Sequence, residues 1–396
     1  MEAARARRAF VVVALLAMAL ELLVIVRVDP AHTFLMPAID LHSAVWGPVR
    51  GLLAGWNPYD AASGYQAAVG VGAAASLHGP WVLVAVGPLA LLPIGSAHVV
   101  WTAVGLVATW TAAAVVMPPR DGRSSAAACT LGLTLTFAGT ADEAFRLGQL
   151  TPLVVLGLAL LLRWPHRWAG VLGVALMTVT PQFALPFSIL AAGLGWGRTA
   201  LRGWVVAVAA SLPVLAWAAW NEGDLGRFVS TVLDNLRWAS GSVNSLNRID
   251  LIGLAGLGLG AQAVGLACVV LLAVVVRRRR LPASPPVIAG GVAAVLMLTY
   301  AMPYMLPLAL LAVWPLLWER DRGPGWWPAA ALVLLALTQS VTVLRWLADS
   351  TGLSAVDLFS LWGLAESAVL VWLAIACAVQ SRARIPVAEP EAAPVG

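Results

Sequence analysis

Two polar constellations stand out in a chain that is otherwise almost wholly apolar. The first runs from Ile39 to Asp60, with Asp40-Leu41-His42 at one end and Gly55-Trp56-Asn57-Pro58-Tyr59-Asp60 at the other. The second is Glu143, Arg146 and Gln149, at the mouth of a later apolar run. A carboxylate such as Asp40 takes a proton from a hydroxyl group, and an arginine fork such as Arg146 matches a phosphate. Asn57 to Asp60 carries turn chemistry, with proline fixing the backbone and asparagine and aspartate bonding locally. Tyr59 adds a flat face on which a ligand ring can stack.

Each residue also has a plain alternative. Asp40 reads equally as the N-cap of a short interfacial helix. His42 either orients the base, contacts a ligand or is solvated at a loop. Arg146, Arg248 and Arg237 each serve either an anionic ligand or lipid headgroups. Glu21, inside the first apolar run, either faces a ligand cavity or snorkels to the interface.

The elements that must position these residues are membrane helices. The chain has 396 residues, 61% hydrophobic and only 11% charged, far from the ~25% charge of soluble domains. Apolar segments lie near 9–28, 96–117, 124–140, 149–163, 168–180, 182–196, 203–220, 258–276, 287–302, 303–318, 328–346 and 356–380. The expected fold class is therefore all-α: a polytopic bundle of about twelve transmembrane helices, within a range of 10–13. Segments 168–180 and 182–196 are short, and the region of Pro181 and Pro186 also reads as one broken helix. The stretch from Pro80 to Pro93 is apolar but too short to span.

Every one of the 24 basic residues is arginine. With the N-terminus placed in the cytoplasm, 17 of them fall in cytoplasmic loops and seven outside, as the positive-inside rule requires. The net charge of +5 thus reports topology, and no nucleic-acid partner is implied. A plasma-membrane location with both termini cytoplasmic follows. Residues 1–384 form one transmembrane domain, with outer loops at 29–79 and 221–257 and a disordered tail at 385–396. Cys129, Cys268 and Cys377 lie singly in apolar runs, without metal or redox spacing.

Chemistry on the outer face has no nucleotide sugar or ATP to draw on, and the sequence has no phosphate-binding glycine loop, dinucleotide fingerprint or zinc spacing. No cofactor is expected. A carboxylate-bearing loop over a wide apolar body suits a lipid-linked donor. A polyprenyl-phosphate sugar carries a good leaving group, a phosphate diester that departs as the polyprenyl monoester, so one base suffices, and a single displacement inverts the anomeric centre.

Several motifs resemble glycosyltransferase family 87, whose members have the GT-C fold. They are Asp40-Leu41-His42, Gly55, Asn57-Pro58-Tyr59-Asp60, Pro88-Leu89-Ala90-Leu91-Leu92-Pro93, Trp101, Arg146-Leu147-Gly148-Gln149, Gly170 to Gly173 before Thr180-Pro181, and Asn244-Ser245-Leu246 followed by Arg248. The resemblance implies that Asp40 is the catalytic base, with His42, Tyr59, Glu143, Arg146, Gln149, Asn244 and Arg248 around the substrates. It implies a polyprenyl-phosphate-sugar donor, mannose first and arabinofuranose second, a lipid-linked glycan acceptor, and membrane lipids as partners. The pattern departs in three places: Val179 stands where a lysine is common, Tyr300-Ala301-Met302-Pro303-Tyr304 carries no histidine, and Ala44 replaces an aromatic residue. An inactive lipid-binding relative and a twelve-span transporter are the competing readings. Against the transporter, the chain has no halfway repeat and no long central cytoplasmic loop.

Overall fold

Where no water competes for backbone amides, a chain must satisfy them internally, and a helix does so whatever its side chains face. The computed structural model describes residues 2–27, 39–60, 76, 78–222, 226, 228–234, 259–299, 303–318, 323–338, 350–352 and 355–383, and among these every regular element is helical. The elements are α1 (Glu2–Arg27), then α2 (Ile39–Leu41), which passes through a π-helical turn (His42–Trp46) into α3 (Gly47–Leu53). There follow α4 (Pro80–Val86), α5 (Ile94–Val116), α6 (Gly122–Phe137), α7 (Gly139–Leu147), α8 (Thr151–Arg163), α9 (Trp168–Met177) and α10 (Pro181–Gly193). The rest are α11 (Gly197–Glu222), α12 (Leu259–Arg278), α13 (Pro285–Leu298), α14 (Leu306–Trp318), α15 (Trp326–Thr338) and α16 (Ala355–Ala383).

A helix lies in every apolar segment expected from the sequence, but their lengths differ. Among the described residues four stretches are long and apolar enough to cross a bilayer: Glu2–Val26, Ile94–Val116, Gly197–Asn221 and Leu361–Ser381. Others are much shorter. At 1.5 Å per residue the ten residues of α9 measure about 15 Å, half of the ~30 Å hydrocarbon layer. Segments 168–180 and 182–196 are thus two short helices meeting at Thr178 to Thr180, and neither crosses alone. Pro80 to Leu91 forms α4 and a 3-10 turn (Gly87–Leu91), with α4 packed on α11. Of the predicted outer loop at 221–257, only its first residues are described; the tail at 385–396 lies outside the described residues.

Packing relies on small residues, because helices in an apolar medium gain little from excluding lipid and much from close contact. The helices α8 and α9 pack extensively, with Gly157 and Gly173 facing each other so tightly that a methyl group on either would strike the other's carbonyl oxygen. At the centre, α14 is buried continuously from Leu306 to Trp314. Polar ties close the end of the bundle that carries the α1 N-terminus. Ser125 Oγ donates to the Ala6 carbonyl at 2.8 Å, Trp314 Nε1 to that of Ala127 at 2.9 Å, and Arg123 to that of Trp318 at 3.1 Å. Asp121 caps α6 by accepting from Ser124 N at 2.7 Å. The cysteines form no disulfide; Cys377 is buried and the other two half-buried.

The α8–α9 contact predicts a size limit. Gly173→Leu should lower stability by about 2 kcal/mol or more through overpacking, read as a lower melting temperature in detergent. Gly95→Ala, where a methyl group meets open space, should leave the melt unchanged.

Candidate active site

The opposite end of the bundle gathers the polar residues. Asp40 lies in the first turn of α2, half-buried, and its Oδ2 accepts a hydrogen bond from Gln149 Nε2, 109 residues along the chain. Asp40 is therefore engaged with another element, not serving as a local cap. The meeting depends on Gly148. This residue ends α7 in the left-handed conformation, φ 71°, and a Cβ there would lie 2.5 Å from Leu41 Cβ. Leu41 is fully buried, so glycine alone lets the Asp40 segment seat against the end of α7.

That end is fixed from α5. His98 Nε2 donates to the Phe145 carbonyl at 2.9 Å, and Trp101 Nε1 to that of Gln149 at 3.3 Å. The turn closes on itself through Gln149 N to the Ala144 carbonyl at 2.8 Å.

The first loop is tied down at further points. Trp46 Nε1 donates to the Leu92 carbonyl at 3.1 Å, and His42 stacks on Trp46 with ring centroids 5.3 Å apart. Arg50 completes the column, 4.9 Å over the Trp46 ring, a cation–π contact. Asn57 makes the expected turn, its Oδ1 accepting from Tyr59 N at 2.9 Å. Tyr59 is buried edge-on against Phe228, and its hydroxyl donates to the His78 carbonyl at 2.9 Å. Its ring and hydroxyl thus serve the loop's own core. His78 in turn donates through Nδ1 to the Val179 carbonyl at 3.1 Å, and Trp81 Nε1 to Thr178 Oγ1 at 2.9 Å. Both contacts dock the end of the loop and the start of α4 just past α9, His78 taking up one of the backbone carbonyls that a helix C-terminus leaves without partners and Trp81 a side-chain hydroxyl.

Electrostatics follow from this burial. Desolvation pushes the Asp40 carboxyl up to about 6, opposed by the Gln149 hydrogen bond, which favours the charged form. Glu143, on α7, is pushed up to about 7, first by burial and then by the charges of Asp40 and Asp142. Burial lowers His42, and lowers His78 to about 4, so His78 is a neutral donor at pH 7. Arg146 Nε bonds both oxygens of Asp142, at 2.9 and 2.8 Å. Behind Glu143 lies Glu366 of α16, fully buried, with neither oxygen hydrogen-bonded, and close enough for the two charges to interact.

Among the described residues no cluster of histidine, cysteine and carboxylate side chains is arranged to hold a metal ion. The structure thus brings Asp40, Glu143, Arg146 and Gln149 together and sets His42 beside them on Trp46. Asn244, Arg248 and Arg237 lie outside the described residues. Sequence reasoning missed Trp46 as an anchor, His98, Arg50 and Glu366. The spacing of His42, Trp46 and Arg50, four residues apart each time, was the one available signal.

A family model for glycosyltransferase family 87 matches residues 77–307, more than half of the chain. The chain belongs to glycosyltransferase family 87. As a family 87 protein with long apolar helices it is a membrane glycosyltransferase. The match takes in α7, the Gly148 turn, Gln149 and the α9–α10 junction, and begins at residue 77, in the last residues of the first loop and 37 positions after Asp40. No curated protein matches the chain.

The Gln149 contact generates a pH prediction. On the expectation that Asp40 is the base, which must be unprotonated to act, kcat/KM should rise as pH increases through about 6. Gln149→Leu removes the bond that favours the carboxylate, so the acidic limb should move upward by about one pH unit. The rate deficit should be largest near pH 6 and shrink above pH 8, measured as a pH profile of sugar transfer.

Proposed function

We propose that the protein transfers a sugar, mannose first, from a polyprenyl-phosphate donor to a cell-envelope glycolipid or polysaccharide, with inversion, on the extracytoplasmic face. The observation that carries this reading is Asp40, a half-buried carboxylate that Gln149 holds at the polar end of an apolar bundle. Residues 1–384 act as one transmembrane unit, with the arginine-rich end in the cytoplasm.

In this mechanism the acceptor hydroxyl loses its proton to Asp40 while its oxygen bonds the anomeric carbon. The bond from that carbon to the phosphate oxygen breaks, and its electron pair leaves with the polyprenyl phosphate. A single displacement on one face inverts the centre. Asp40 above about pH 6 is a carboxylate and so is ready to accept the proton. Arg146 supports the phosphate: only its Nε is used by Asp142, and its side chain is 28% exposed. A guanidinium edge suits two phosphate oxygens at once. The chemistry needs no cofactor, and the apolar helix surfaces accommodate the polyprenyl tail.

The test is transfer of labelled sugar from polyprenyl-phosphate-mannose to envelope glycolipids by the purified protein. Asp40→Asn should lose about a hundredfold or more in kcat while melting like wild type. A variant that keeps most of its turnover removes Asp40 from the role. A parallel assay with polyprenyl-phosphate-arabinofuranose ranks the two sugars.

A further inference from the structure

The end of the bundle away from Asp40 carries positive charge that nothing balances. Arg163 and Arg167, Arg198 and Arg202, and the run Arg277 to Arg280 are all exposed, eight arginines around three chain turns. Direct contacts hold those turns together. Thr199 Oγ1 donates to the Pro165 carbonyl, and the Arg277 guanidinium lies against Gly195, 3.2 Å from where a Cβ would stand. No aspartate or glutamate occurs between residues 144 and 221 or between 259 and 318. None of the eight guanidinium groups has an ion-pair or hydrogen-bond partner among the described residues.

Helix geometry adds to this charge instead of relieving it. The positive ends of α9, α11 and α13 all open here, and α9 and α13 have no side chain capping them. Arg167 immediately precedes α9 and Arg198 lies in the first turn of α11, where the macrodipole favours anions and disfavours cations. At the end of α12, Arg280 takes the left-handed conformation, φ 49°, and the turn closes through Leu281 N to the Val276 carbonyl at 3.1 Å. Glycine is the usual residue at such a position, and arginine is strained there. Sorting of basic residues to one side of a membrane requires neither feature. An anion bound among these groups accounts for both.

The surroundings suit a lipid anion better than a soluble one. Exposed apolar flanks run directly up to the arginines: Leu201, Val205 and Val208 on α11, and Leu271 and Val275 on α12. Between α8, α10 and α13 an apolar cleft lined by Leu162, Leu194, Trp196 and Ile288 opens beside the same turns. Acyl chains fit such surfaces, and a phosphate fits the arginine forks. We propose that this end of the bundle is a binding site for an anionic phospholipid, its phosphate held by the arginines of the three turns and its acyl chains lying along α11 and α12. The site is separate from the one that contains Asp40 and is independent of the sugar transferred.

The test is lipid retention by the purified protein, read by native mass spectrometry from detergent micelles with dioleoylphosphatidylglycerol or dioleoylphosphatidylcholine added. Wild type should hold phosphatidylglycerol about tenfold more tightly than phosphatidylcholine. Equal retention of the two overturns the proposal. Arg277→Gln, Arg278→Gln, Arg279→Gln and Arg280→Gln together should abolish the preference, and a variant that keeps it overturns the assignment. Arg5→Gln, Arg7→Gln and Arg8→Gln together, on α1, should leave the preference intact. If both sets lose it equally, surface charge alone is at work and the proposal fails. Inorganic phosphate at equal concentration should not displace phosphatidylglycerol; displacement identifies a soluble anion and overturns the lipid. Arg280→Gly should raise the melting temperature in lipid-free micelles and reduce the further rise that phosphatidylglycerol brings. An undiminished rise overturns the part given to Arg280. Should the quadruple variant fail to fold, Arg163→Gln with Arg167→Gln takes its place, with the same loss expected and the same result overturning the proposal.

Discussion

The contact between Leu41 and Gly148 leaves no space for a methyl group, and most of the polar architecture depends on it. Because α7 ends in a left-handed glycine, the Asp40 segment lies directly on the turn, and Gln149, one residue further, reaches the carboxylate. His98 and Trp101 hold the same turn from the other side. A rigid backbone junction thereby places a carboxylate that its own short helix could not hold. Side chains on loops gain precision only when packing and further hydrogen bonds restrain them.

Carboxyl groups crowd this end of the molecule. Asp40, Asp142 and Glu143 belong to it directly, and Glu21 and Glu366 reach toward it from α1 and α16. Among the described residues Arg146 is the cation placed within the group. So many carboxyls cannot all be ionised in so dry a place, and Glu143 near 7 shows the pressure.

The positions of the helices were legible in the sequence because long apolar runs separated by arginine loops admit few other readings. Their lengths were less so: α9 and α10 stop short, and a run that is apolar on every side does not reveal where a neighbour's glycine or a loop will interrupt it. Asp40, the Asn57 turn and the Arg146 to Gln149 group were visible as polar residues out of place. Their partners were not. Tyr59 looked available for a ligand but is committed to Phe228 and His78, and Glu21 gave no sign of which element it faced. Contacts such as Tyr59 with Phe228 or Asp40 with Gln149 join residues more than a hundred positions apart, and hydrophobic periodicity, which reports only local geometry, cannot register them.

The α9 terminus also sets an order of events. His78 and Trp81 bond Val179 and Thr178, which lie 101 and 97 residues later in the chain, and Asp40 waits for Gln149 over a similar distance. A chain made from its N-terminus therefore presents Asp40 long before Gln149 exists to hold it, although the nearer ties from Trp46 to Leu92 and from Tyr59 to His78 can form earlier. The loop takes its final shape only once the short helices near residue 180 are in place. Assembly of the site is thus a late step in biogenesis, although its central residue is among the first to be synthesised.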